Sequence, residues 1–236
     1  MANNYFSFKQ FTIYQDNSAF KVGTDSVLLG ACTDIEGVRR ILDIGSGTGI
    51  ISIMLAQRCD AEITAIEPDY ESYIQTCENV SRCDWHNRIK VEYTSLQNFI
   101  ARKAKFDLIV TNPPFFSDSL KSPDLRKSFT RHNDSLTTDE ILEGTIRLLE
   151  DEGRLQLVMP YVEGNVLIAE AYKYGLYCNS ILKIRPLPSS EIRRLILEFS
   201  KIQKKPSESF LTIEYGRRHE FTEEYINLTK DFYLKF

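Results

Sequence analysis

The sequence predicts an α/β fold: a mostly parallel sheet of seven strands, helices on both faces, and an antiparallel C-terminal hairpin. Three observations predict it. Residues 41 to 111 alternate short apolar runs with helix-period stretches, the pattern of repeated βαβ units. Gly45-Ser46-Gly47-Thr48-Gly49 joins the first of these runs to the first helix. Pro113 and Pro114 then end the run Phe106–Thr111 abruptly, because each fixes φ, lacks an N–H and holds the residue before it extended.

In chain order, Arg40–Ile44 reads as the first strand and Ile50–Arg58 as a helix burying Ile51, Met54 and Leu55. Glu62–Ile66 is the second strand, Tyr70–Cys83 a helix, Arg88–Tyr93 the third strand and Phe106–Thr111 the fourth. Thr137-Thr138-Asp139-Glu140 starts a helix, with acids in the first turn, that runs to about Leu149. Gly153 is expected to turn the chain into a fifth strand, Arg154–Met159. A helix over Val162–Tyr174 should stop at Gly175. Leu176–Ile184 and Glu191–Phe199, either side of Pro186–Ser190, form the hairpin. The whole is expected to be one domain, 1–236, with an N-terminal extension (1–40), an insertion loop (116–136) and a tail (207–236) that packs a helix, Thr222–Leu234, on the core.

Composition is that of a soluble globular protein, with 42% hydrophobic and 26% charged residues. No apolar run matches a membrane span, and the first residues lack a signal pattern. Five cysteines without CxxC or zinc spacing suit reduced thiols, so a cytoplasmic protein without a metal is expected. The net charge of −4 argues against a diffuse grip on nucleic acid, although charge can be local. Lys121, Arg126, Lys127, Arg131 and His132 cluster just after the two prolines and are the candidate RNA contacts. Arg193-Arg194, Lys201 to Lys205 and Arg217-Arg218-His219 read as solvated charge.

Two constellations carry chemistry. In Asp43-Ile44-Gly45-Ser46-Gly47-Thr48-Gly49 the glycines recur at every second residue, unlike the dinucleotide pattern GxGxxG. Such a turn brings backbone N–H groups close to a ligand. Glu67 ends the second strand, 22 residues after Gly45, where an acid can take both hydroxyls of a ribose. Together these point to a cofactor containing a nucleoside. The second constellation is Asn112-Pro113-Pro114-Phe115, a stiff loop at a strand's carboxyl end. It offers the Asn112 amide, the Pro113 carbonyl and the Phe115 ring, a receptor for a planar ring bearing an NH2 group.

The glycine turn with Glu67 resembles the S-adenosylmethionine site of class I methyltransferases, and Asn112–Phe115 resembles the catalytic loop of those that methylate amino groups. Lys21 to Gly30, Arg131 to Leu136 and Asp231 to Lys235 extend the likeness, nearly end to end, to the bacterial tRNA1(Val) (adenine(37)-N6)-methyltransferases. The resemblance implies a Rossmann-like class I methyltransferase fold, S-adenosylmethionine as cofactor, and a monomer methylating an adenine in a tRNA anticodon loop. It implies that Gly45, Ser46, Gly47 and Gly49, with Asp43 and Asn112, surround the methionine and ribose portions. Glu67 would hold the ribose, Pro68 would lie beside the adenine, and Lys21, Gly23, Thr24 and Asp25 would close over the methionine end. The last four equally read as a helix start capped by Thr24 or Asp25. Where many relatives carry an acid after the third strand, this chain has Ser95, so the backbone at Ser95 and Leu96 is expected to recognise adenine, with modest affinity.

Methylation of a protein glutamine amide would use the same loop, but that family shows Tyr in place of Phe115 and an N-terminal helical domain. Methylation of guanine N2 in ribosomal RNA is a further reading, as are an NAD-dependent oxidoreductase and a non-catalytic nucleotide-binding module. Trp85, His86 and His219 are expected to be structural or on the surface.

Overall fold

A computed structural model describes residues 3–18, 20–114 and 136–236. A short antiparallel hairpin, β1 (Tyr5–Ser7) and β2 (Thr12–Tyr14), precedes helix α1 (Thr24–Cys32). Strands and helices then alternate: β3 (Arg40–Ile44), α2 (Ile50–Arg58), β4 (Glu62–Glu67), α3 (Tyr70–Ser81), β5 (Ile89–Tyr93), the single-turn α4 (Leu96–Phe99) and β6 (Phe106–Thr111). Further along come α5 (Thr138–Leu148), β7 (Leu149–Pro160), α6 (Tyr161–Ala171), β8 (Tyr177–Arg185), β9 (Arg194–Ser200), β10 (Ser207–Thr212) and α7 (Glu223–Thr229).

Among the described residues the main sheet has eight strands in the order β10-β8-β9-β7-β6-β3-β4-β5, of which β9 alone runs against the others. Its strands are apolar on both faces because both are covered. Ile41, Leu108, Val110 and Val158 face a layer containing α1, α2, α7 and the N-terminal aromatics Phe8 and Phe11. Leu42, Ile44, Ile109, Leu155 and Leu157 face α4, α5 and α6. Gly30 of α1 permits the close approach of α2: a Cβ there would lie 2.8 Å from Met54 Sδ.

Several expectations shift. The sheet gains an eighth strand, β10, whose polar sequence leaves only Leu211 buried and gives no periodic signal. Gly153 lies within β7, where the pairing to β6 slips between Phe106↔Leu149 and Leu108↔Arg154. It is the close-packed residue of an irregular strand, since a Cβ there would meet Leu149 Cδ1 at 2.8 Å. The last helix is shorter than expected, Glu223–Thr229, with Thr222 as N-cap. Thr137 and Glu140 do form the expected helix start, as a reciprocal capping box.

After β3 the chain winds to β4 and β5 on one side, then returns to place β6 on the other. Open α/β sheets bind ligands where the order reverses in this way. Helix α3 secures the loop at that point. Thr76 Oγ1 donates to Gly47 O at 2.8 Å, and Asn79 Nδ2 donates to Thr48 O and to Tyr14 O, both at 2.8 Å. Asn79 Oδ1 accepts Tyr14 N–H at 2.9 Å, so one buried amide joins the hairpin, α3 and the glycine turn. Replacing Asn79 by Ala would leave three backbone groups without their partners. Chemical denaturation should show a loss of about 2–4 kcal/mol; a loss under about 0.5 kcal/mol would show that the clamp contributes little.

Candidate active site

A cleft of about 390 Å³ opens at the carboxyl edge of β3, β4, β5 and β6. Its floor is the glycine turn. Gly45, Gly47 and Gly49 have φ of 73°, 60° and 79°, a left-handed region that costs other residues of order 1–3 kcal/mol. The turn is pinned to the neighbouring strand, because Gly45 and Ser46 both donate to Ile66 O, at 2.9 and 3.1 Å. A Cβ on Gly45 would meet nothing within 4 Å, so this stretch of backbone faces open space.

Glu67, 7% exposed, accepts Gly47 N–H at 2.8 Å on one carboxylate oxygen and Asp69 N–H at 2.9 Å on the other. Burial pushes its carboxyl up to about 7 despite those two hydrogen bonds, and the charges of Asp69 and Asp43 push the same way. Pro68, Asp69 and Ser72 continue that wall. Thr94, Ser95, Leu96 and Gln97 close the end beyond β5. The Ser95 hydroxyl is engaged locally: it caps α4 by accepting Asn98 N–H at 3.4 Å.

Opposite the glycine turn stand Thr111, Asn112, Pro113 and Pro114. Thr111 Oγ1 donates to Ile44 O at 2.8 Å, fixing the end of β6 to β3. Asn112 Nδ2 donates to Ser26 Oγ at 2.9 Å, and its Oδ1 has no hydrogen-bond partner among the described residues. Phe20, Lys21, Gly23, Asp25 and Ser26 cross the cleft's mouth, and Asp25 is anchored by an ion pair with Arg194 at 2.7 Å.

Most of the expected residues therefore share one cleft: Lys21, Gly23, Asp25, Gly45, Ser46, Gly47, Glu67, Pro68, Ser95, Leu96, Asn112, Pro113 and Pro114. Thr24 is exposed and outside the lining, and Asp43 and Gly49 are buried behind it. Gly23, not Thr24 or Asp25, is the N-cap of α1, and it supplies no side-chain bond. Asp43 is fully buried beneath the turn; Ser52 Oγ donates to its Oδ2 at 2.7 Å, while Oδ1 has no partner among the described residues. Burial raises its carboxyl to about 6. Gly49 caps α2, and a Cβ there would approach Thr76 Cγ2 at 3.0 Å. Phe115, Lys121, Arg126, Lys127, Arg131 and His132 lie outside the described residues. Sequence reasoning passed over Ser26, though it lies within the Lys21–Gly30 motif, and it passed over Phe20, Asp69 and Thr111. Only tertiary contact reveals them.

A family model described as a methyltransferase small domain matches residues 12–165. The tRNA1(Val) (adenine(37)-N6)-methyltransferase of Parabacteroides distasonis is 44% identical over 237 residues, covering 100% of both chains. The chain belongs to the tRNA1(Val) (adenine(37)-N6)-methyltransferase family. Proteins of the same name from Phocaeicola vulgatus and Trichodesmium erythraeum are 45% and 42% identical, with 99% and 100% of each chain covered. Among solved structures, a predicted O-methyltransferase from Agrobacterium tumefaciens has a TM-score of 0.65 at 20% identity, over 88% of this chain and 96% of that one. The T. thermophilus 16S rRNA N2 G1207 methyltransferase, solved with AdoMet and guanosine, scores 0.58 at 21% identity, over 84% of this chain and 50% of that one. At that identity the likeness concerns the fold alone, the Rossmann-like class I methyltransferase fold expected of this family.

The raised carboxyls have a stability consequence. Glu67 holds its proton more tightly folded than unfolded, so between pH 4.5 and about 7 the folded state binds more protons and stability falls as pH rises. Thermal melts from pH 5 to 7.5 should show wild type losing stability relative to Glu67→Gln. Parallel curves would contradict the assignment.

Proposed function

We propose that this chain transfers a methyl group from S-adenosylmethionine to N6 of an adenine in tRNA, at position 37 in the anticodon loop of tRNA1(Val). The observation that carries the reading is that Asn112, Pro113 and Pro114 stand on the wall of the same cleft as the glycine turn and Glu67. A tRNA substrate puts the enzyme in the cytoplasm, and the monomer is the proposed acting unit. Among the described residues no helix is long and apolar enough to cross a membrane.

The cleft has the volume of a small-molecule site, and its residues fit the cofactor. Glu67 would accept from the ribose hydroxyls, the Gly45–Gly47 backbone would follow the ribose and methionine portions, and Pro68 with the Ser95–Leu96 backbone would flank the adenine. Lys21, Gly23 and Asp25 would cover the methionine end. When bound, S-adenosylmethionine supplies a methyl group already activated by the sulfonium charge.

The substrate's difficulty is that the N6 lone pair is delocalised into the adenine ring. Asn112 Oδ1 and the Pro113 carbonyl would accept the two N6 hydrogens, draw the nitrogen towards tetrahedral geometry and aim its lone pair into the cleft. Both contacts strengthen as positive charge develops on N6, so they favour the transition state over the ground state. Ser26 decides which amide atom is available: by taking Nδ2 it leaves Oδ1 as the acceptor. The two prolines keep the loop from relaxing. Phe115, next in the chain, is the ring proposed to stack on the extruded base. Lys121, Arg126, Lys127, Arg131 and His132 are the RNA contacts proposed from the sequence.

Methylating total tRNA from a strain lacking the gene, with labelled S-adenosylmethionine, tests the reading. Label should map to N6-methyladenine at one anticodon-loop position; label on guanine N2, or on protein, would overturn it. Asn112→Ala should lower kcat about a hundredfold or more with cofactor affinity near wild type; near-normal turnover would refute the role of Asn112. Ser26→Ala, acting through Asn112, should lower kcat by about tenfold without moving cofactor affinity, and Ser26→Thr should recover part of the rate. A loss that appears in cofactor affinity instead would mean that Ser26 merely supports the fold.

A further inference from the structure

Three basic runs that look like scattered solvated charge in the sequence are sorted by the fold to opposite edges of the sheet. Strand β9 enters the sheet at the edge that carries the cleft and leaves at the other. Register shows this directly: Thr111 of β6 pairs with Leu157 of β7, Pro160 pairs with Arg194, and Ile184 pairs with both Arg194 and Leu211. Arg193 and Arg194 therefore lie at the same edge as Asn112. The loop after β10 joins them there, because Ile213 N–H donates to Arg185 O at 3.1 Å and Glu214 N–H to Pro186 O at 2.9 Å. That loop carries Arg217, Arg218 and His219, all exposed. Lys204 and Lys205, in contrast, sit at the far edge, where Lys204 N–H donates to Asn179 Oδ1 at 3.0 Å near the start of β8.

We propose that this edge, from Arg193 to Arg218, is a docking shelf for the sugar-phosphate backbone of the RNA whose base enters the cleft. The inference rests on the function proposed above. The shelf begins at the cleft itself, since Asp25 in the cleft's lining is paired to Arg194, next in the chain to Arg193. It extends across four strand steps, β6 to β7, β9, β8 and β10, a span of roughly 19 Å at ~4.8 Å per step. Several nucleotides of backbone cover that distance, which suits a stem-loop held on one side while one base is presented.

The charges divide clearly. Arg217 is paired with Glu220 at 3.8 Å, Glu214 accepts His219 N–H at 2.9 Å, and Arg185 donates to Pro188 O and to Thr212 Oγ1, each at 2.9 Å. Glu191 is exposed between them. Arg193 and Arg218 form no ion pair among the described residues and are the two guanidiniums left to meet phosphate. Two exposed rings stand with them, Tyr161 (42% exposed), whose N–H donates to Arg193 O at 3.2 Å, and Tyr215 (56% exposed). Arginine beside an exposed aromatic ring serves both phosphate contact and base stacking. Phosphate contacts position an RNA without reading its sequence, so the shelf sets affinity and orientation while the cleft selects the base.

The test compares Arg193→Glu/Arg218→Glu with Lys204→Glu/Lys205→Glu, which changes net charge equally at the opposite edge. The probe is bulk tRNA from a strain lacking the gene. The shelf variant should raise the KM for tRNA at least tenfold, and the far-edge variant less than twofold, with S-adenosylmethionine affinity unaltered in both. The milder Arg193→Gln/Arg218→Gln should reduce the log–log salt slope of tRNA binding by about 1.4, at ~0.7 per phosphate contact. Equal losses in the two charge-reversed variants would overturn the shelf in favour of bulk charge, and an unchanged KM would overturn it outright. If wild type itself fails to methylate tRNA, the function proposed above falls, and the shelf with it; if wild type is active and the variants match, only the shelf falls.

Discussion

Ile44 pairs with Ile66 of β4 on one side and with Thr111 of β6 on the other, and the site depends on that double register. Parallel strands at this level release three segments at one height: the glycine turn, Glu67 with Pro68, and Asn112 with its prolines. Side chains alternate along a strand, so a slip of one residue in β6 would send Thr111 to the other face and break its bond to Ile44 O. Both faces of β3 and β6 are apolar, Ile41 and Leu42 being fully buried in opposite layers, so the register is held by polar bonds at the two ends of β6: Thr111 Oγ1 to Ile44 O, and Asp107 Oδ2 accepting Arg39 and Arg40 N–H at 3.0 and 2.8 Å. Those bonds set the height at which the polar chemistry emerges.

The edge so defined includes acidic groups that burial disfavours. Asp43 and Glu67 are buried carboxyls whose ionised forms are disfavoured, and Asp43 keeps an oxygen without a partner among the described residues. An apolar pair would suit folding better. Their retention makes sense if a ligand supplies hydroxyl donors to Glu67 and if Asp43, through Ser52, ties the glycine turn to α2. Thr76 and Asn79 of α3 complete the support by holding two of the turn's carbonyls, Gly47 O and Thr48 O.

Local signals were legible in the sequence. β3, α2 and β6 fall where the apolar runs and the Gly49 and Pro113 breaks put them, because those breaks act on their own φ angles. Thr137 with Glu140 was legible for the same reason. What escaped depends on distant partners. β10 forms because β8 offers a free edge, which its own polar residues do not announce. Gly153 looks like a turn in sequence but fills an irregularity of β7 between Leu149 and Arg154, packed against Leu149 and Phe106 O. Asp43 and Gly49 belong to the expected motif yet stand behind the cleft, because a motif records spacing and not which side faces the ligand. Ser26 and Arg194 acquire their places only when α1 meets β6 and β9, so no pattern local to either could reveal them.

In the proposed function one cleft presents the methyl donor on the β4 side to an amine held on the β6 side. A crystal structure with S-adenosylhomocysteine and an adenine-containing anticodon stem-loop tests it most directly. Ribose hydroxyls should lie on the Glu67 carboxylate, and the target adenine's N6 within hydrogen-bonding distance of both Asn112 Oδ1 and the Pro113 carbonyl. A cofactor bound away from the glycine turn, or an adenine whose N6 points away from Asn112, would contradict it.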